Sequence, residues 1–154
     1  MCGCYGSMAR YFSHASSAIH MEAEACRAGL LMAIHQGWSN VELECDCASL
    51  VNALSTEQED FSEIGRIIDD CRVYTLEVRP IHIRHIYREA NGVAHRLANL
   101  ASCSFLDDLW LDETPAIIQD VLFEDICKCS RGLGTMSPSR SSPIININNL
   151  GGLS

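Results

Sequence analysis

The sequence lacks several signatures, and each absence narrows the function. No run approaches the ~18 consecutive apolar residues of a membrane-spanning helix, so no membrane partner is expected. The first twelve residues, MCGCYGSMARYF, lack a basic flank followed by an apolar core and are not expected to act as a secretory leader. An intracellular chain, nuclear or cytoplasmic, is the expectation. Excess positive charge is also absent: the formal net charge is −9, which argues against a surface that binds nucleic acid everywhere. No internal repeat is visible, which sets aside solenoids and propellers. Paired C-x-x-C motifs are missing as well, although the chain has nine cysteines. Their spacing is irregular, and Cys26, Cys71 and Cys103 fall inside helical patterns, so most are read as reduced and structural.

With 154 residues, there is enough chain for one domain with a real core and a tail. Residues 17–36 read as a helix, with Ser16 or Ser17 as N-cap and Gly37 as terminator. In NVELECD, Val41, Leu43 and Cys45 alternate with Asn40, Glu42, Glu44 and Asp46, which is a strand pattern. CASLVNALS reads as a short helix, and a longer one runs from Ser62 to near Glu77 through Ile64, Ile67, Ile68 and Cys71. RPIHIRHIYR is a second strand. ANGVAHRLANLASC is a helix with Val93, Leu97 and Leu100 on one side. TPAIIQDVLFED opens on Thr114 as cap and Pro115 at the first helical position. Strands separated by helices imply an α/β sheet with crossover connections. Two strands are too few for such a sheet, so further strands are sought in the featureless N-terminus. Residues 127–154, rich in Ser, Gly, Pro and Asn, read as a disordered tail.

Two carboxylates are candidate ligands. At 100° per residue, Glu22, Cys26, Gly29 and Ala33 share a stripe of about 60° beside the core face, so this helix can approach the sheet closely. Glu22 heads that stripe, whereas Glu24 points about 200° away, toward solvent. A glutamate near a helix N-terminus also has the plain role of complementing the dipole. Asp46 ends the first strand, where α/β folds keep their sites; it is equally suited to cap the helix that follows. Cys45 and Cys47 form C-x-C, with Cys127 and Cys129 a second pair, but zinc spacing is lacking. Oxygen ligands are the better reading. Between Arg79 and Arg96 lie four arginines, three histidines and one acid, Glu89, a local charge of +3. His82, Arg84 and Arg88 share one face of the second strand and its exit, a strip able to meet phosphates while also serving as an ordinary solvated face.

Together, MEAEACRAGLLMAI, VELECDCASLVNAL and IHIRHIYREANGVAHRLANLA resemble the ribonuclease H-like domain, in the plant reverse-transcriptase-like, retrotransposon-derived branch. The resemblance covers roughly residues 14–125, and the domain is taken as 14–126. It implies a mixed sheet flanked by helices: three antiparallel strands, then parallel strands interleaved with helices. It also implies a metal-dependent hydrolase cutting the RNA strand of RNA–DNA hybrids with Mg²⁺ or Mn²⁺. By motif, Glu22 and Asp46 are metal-binding catalytic acids. His95 stands where the family's N-x-x-A-D-x-L-A pattern has its last acid, a replacement frequent in this branch. Asn91 opens that motif and joins His82, Arg84 and Arg88 as an expected nucleic-acid contact. The family's first strands, including the one that carries the first acid, are expected to be missing, with 1–13 a remnant or irregular N-terminus whose third-strand relic is Tyr11–Ser13. The strand 41–46 is then expected to have an exposed edge, and activity to be impaired. The alternatives are an inactive nucleic-acid-binding or protein-interaction module of the same fold, and a zinc-binding structural protein.

Overall fold

The computed structural model describes residues 6–10, 12–13, 16–58, 62–104, 107–111, 113–124 and 144–147. Five strands and four α-helices are named here in chain order. They are β1 (Gly6–Ala9), α1 (Ala18–His35), β2 (Val41–Cys45), α2 (Ala48–Ser55), α3 (Gly65–Glu77), β3 (Ile81–His85), α4 (Gly92–Ser104), β4 (Asp108–Leu111) and β5 (Ile144–Ile147). Single 3₁₀ turns occupy Arg88–Ala90 and Ala116–Ile118, the second running into a helical turn at 119–124.

Helix α1 begins and ends as its sequence dictates. The Ser17 hydroxyl accepts from the His20 amide at 3.3 Å, satisfying one of the amides a helix start leaves open. At the other end Gly37 takes φ +67, a left-handed conformation open to glycine. The Gly37 amide donates to Ile34 O and the Trp38 amide to Ala33 O. These two bonds close the helix in a Schellman motif.

Three parallel strands form one sheet in the order β3-β2-β5, and β1 pairs with β4 in a separate antiparallel ribbon. Val41, Leu43 and Cys45 turn one face of β2 inward. They pack with Ala23, Cys26, Leu30 and Ala33 of α1, Leu50 of α2, and Ile67, Ile68 and Cys71 of α3. A smaller core joins Ala9, Leu97, Ala101 and Ile118, with Val93, Trp110 and Leu122 against it.

Three expectations about the strands need correction. Residues 144–147 form a strand rather than part of a disordered tail. Three of these four residues are isoleucine, which suits a strand, and Ile145 is buried in the main core. The rest of 127–154 lies outside the described residues. Strand β2 therefore has no open edge: it is the central strand, with β3 on one side and β5 on the other. The N-terminal strand lies at Gly6–Ala9; Phe12 and Ser13 are outside it, and Tyr11 lies outside the described residues.

The small-residue stripe of α1 is what admits β5. A Cβ on Gly29 would stand 2.8 Å from Ile145 Cγ2, closer than side chains tolerate. Glu24, expected in solvent, is instead largely covered: it pairs with Arg27 at 2.6 Å, and Arg27 reaches Asp70 of α3 at 3.2 Å. No described helix is long and apolar enough to cross a membrane.

Candidate metal centre and nucleic-acid face

Glu22 lies one turn into α1, and Asp46 is the first residue after β2. Helix α1 and β2 share the main core, and the two carboxylates converge where β2 ends. One ligand atom each from Glu22, Cys45 and Asp46 lies within 4.8 Å of the others. Glu22 and Cys45 are buried, and Asp46 is half-buried. The helix cap is not where the sequence suggested: Cys47 is the N-cap of α2, and no side chain bonds there. The Asp46 carboxylate is thus available to the group rather than held by the helix start.

Cys45 joins the two elements. Its thiol donates to Glu22 Oε2 at 3.7 Å, while the Cys47 amide donates to Cys45 Sγ at 3.3 Å. Burial pushes the thiol's pKa far above its ordinary range, and the charges of Glu22 and Asp46 push the same way. Cys45 therefore stays protonated at neutral pH and acts as a donor. Two carboxylates this close suit a single hard divalent ion, which takes oxygens and keeps water for its remaining positions. The neutral thiol adds nothing a Mg²⁺ ion needs, but it does not oppose one.

His95 is not in this group. It lies in the first turn of α4, where its amide donates to Asn91 O at 3.1 Å. Its Nδ1 is buried with no hydrogen-bond partner among the described residues.

The expected nucleic-acid contacts divide. His82 and Arg88 are exposed. Arg84, also exposed, is engaged: its Nε donates to Glu44 Oε1 at 2.9 Å, its Nη2 bonds the same oxygen, and Glu42 lies 3.6 Å away. The cause is register, since parallel pairing sets Glu44 opposite Arg84 and Glu42 opposite His82. Arg84 thus neutralises a nearly buried glutamate before it can meet a phosphate. Asn91 is fully buried, which corrects its reading as a nucleic-acid contact; its backbone closes the turn from Arg88 and starts α4.

Two residues were missed. His85 Nε2 donates to Asp46 O at 3.2 Å, and its ring meets Tyr87 edge-on at 5.9 Å. Their only sequence signal is that aromatic and basic residues crowd the end of β3, in HIYR.

Residues 2–101 match the family model described as reverse transcriptase-like. This chain belongs to that family. Its α/β fold is ribonuclease H-like, and the motif acids Glu22 and Asp46 fall inside the matched region. An Arabidopsis thaliana protein named "Putative ribonuclease H protein" is 31% identical over 112 residues, 73% of this chain. The match spans 17% of that relative's length. No solved structure matches the chain significantly.

Proposed function

We propose that this reverse transcriptase-like domain binds RNA–DNA hybrids and hydrolyses their RNA strand slowly, with Mn²⁺ supporting more activity than Mg²⁺. The observation that carries this reading is the convergence of Glu22 and Asp46, picked out by motif, at the ends of α1 and β2. A bound divalent ion would polarise the phosphoryl group and activate water. The chain's own residues hold the charge that attracts the ion. Glu22 is fixed by burial and by the Cys45 thiol, and Asp46 by the turn that His85 holds through its carbonyl. Arg88 and His82 supply exposed contacts for the nucleic-acid backbone.

Slow turnover follows from the donor set. Enzymes that clamp the attacking and leaving oxygens use two metal ions, and two carboxylates with a protonated thiol are thin for that. An imidazole suits Mn²⁺ better than Mg²⁺, and His95, although outside the carboxylate group here, stands where the family's last acid would. The second reading, a hybrid-binding module without hydrolysis, is favoured by the place of His95 outside the carboxylate group.

Cleavage of a labelled hybrid in Mg²⁺ and in Mn²⁺ separates the two readings. The expected result is slow cutting in Mn²⁺, abolished by Asp46→Asn. His95→Asp should raise the Mg²⁺ rate. Binding without cleavage in either metal establishes the second reading, and no binding at all sinks both.

A further inference from the structure

Tyr87 is 77% exposed, the most exposed of the large apolar side chains described. It stands in extended backbone two residues beyond β3, with φ −74 and ψ 148. Its place is fixed from below: the Ile86 amide donates to Cys45 O at 3.0 Å, so the exit of β3 runs beside the end of β2. The His85 ring touches Tyr87 edge-on, at 78° between planes. An edge contact of this kind leaves a tyrosine face uncovered. His85 in turn bonds the Asp46 carbonyl. Tyr87 is thus one imidazole away from the residue that carries the second carboxylate. Arg88, exposed, follows it directly.

An open aromatic face, a neighbouring cation and a carboxylate pair together suit one kind of occupant. A base inside a duplex has both faces covered by its neighbours. An unpaired base offers a free face, and stacking on an aromatic side chain tolerates any base. Arg88 can meet the adjoining phosphate, as basic residues do along single strands.

We propose that Tyr87 stacks on an unpaired nucleotide beside the Glu22–Asp46 pair, so that the domain prefers a hybrid with a single-stranded RNA extension to a blunt one. This rests on the hybrid-binding reading above. It adds a residue that selects substrate structure, not base sequence.

The test is equilibrium binding of the full chain to two fluorescent hybrids of equal duplex length, one blunt and one extended, in chelator so that nothing is cut. The extended hybrid should bind about ten-fold tighter, the scale of one base–aromatic stack. Tyr87→Ala should abolish the difference, and Tyr87→Phe and Tyr87→Trp should keep it. Because the ring is exposed, the alanine variant should melt like the parent. Equal binding of both hybrids by the parent chain overturns this inference alone, as does a preference that survives Tyr87→Ala. If the parent binds neither hybrid, the hybrid-binding reading falls and takes the inference with it.

Discussion

The Cys45 thiol lies 3.7 Å from Glu22 Oε2 and donates to it, linking the last residue of β2 to α1 beside the Asp46 carboxylate. Cys45 is 1% exposed, and burial is the main reason its thiol resists ionisation. Native protein treated with an alkylating reagent at neutral pH should therefore be labelled at exposed Cys103 well before Cys45. Peptide mapping by mass spectrometry would show the order. Early labelling of Cys45 would mean that the group is open to solvent.

Alkaline pH should destabilise the fold. The Cys26 thiol is raised by its hydrogen bond to Cys71 and by burial, and the Cys45 thiol by burial. Both folded values exceed the ordinary 9.0, so the unfolded chain loses these protons first. The stabilisation is complete below about pH 9 and declines as pH rises above it. Denaturant midpoints measured from pH 7 to pH 10.5 should fall over the upper part of that range. The slope should be shallower in Cys26→Ala.

Asp46→Asn should have opposite effects with and without metal. Without metal, two carboxylates within 4.8 Å repel, and no cap bond is at stake. The variant should then match the parent or exceed it by about 1 kcal/mol. With Mn²⁺, the parent should gain melting temperature and the variant should not. A metal-induced shift that persists in Asp46→Asn would place the ion elsewhere.

Gly29→Ala tests the docking of β5 through the sign of its effect. In an open helix, alanine is better than glycine by about 1 kcal/mol. Here the new Cβ would meet Ile145 Cγ2 at 2.8 Å, so a loss of stability is expected. Ile145→Ala removes the clashing atom, at a cost of about 2–4 kcal/mol for the lost packing. The two changes together should cost less than the sum of each alone. A Gly29→Ala variant more stable than the parent would show that β5 does not sit against α1.

Arg84→Gln and Arg88→Gln should act differently although both are arginines of the basic strip. Removing Arg84 strands Glu44, which is 8% exposed, and should lower stability by about 1 kcal/mol, a figure tempered by the arginine's own half exposure. Removing Arg88 should leave melting unchanged. It should instead reduce the salt dependence of hybrid binding by about one unit of slope. Equal melting losses in the two variants would contradict the division seen here.

What the sequence determined by itself was local. The Ser17 cap, the Gly37 stop and the alternation Val41–Leu43–Cys45 depend on neighbours within a few residues, and helix α1 and strand β2 stand where those signals put them. The helical period alone also aimed Glu22 at the sheet, and the strand end alone put Asp46 near it. Tertiary structure decided the rest, because strand pairing joins residues that carry no mark of their partner. Three isoleucines in four residues say "strand" but not which edge they complete, and β5 pairs with β2 across about a hundred positions of chain. Pairing of β2 with β3 fixed the charges: parallel register set Arg84 against Glu44, while Arg88 beyond the strand stays exposed, a distinction invisible in a count of arginines. Burial of Asn91 and the placing of His85 against Tyr87 and next to Asp46 likewise follow from how the ends of β2 and β3 meet, since which side chains are covered is a property of packing between elements and not of any one of them.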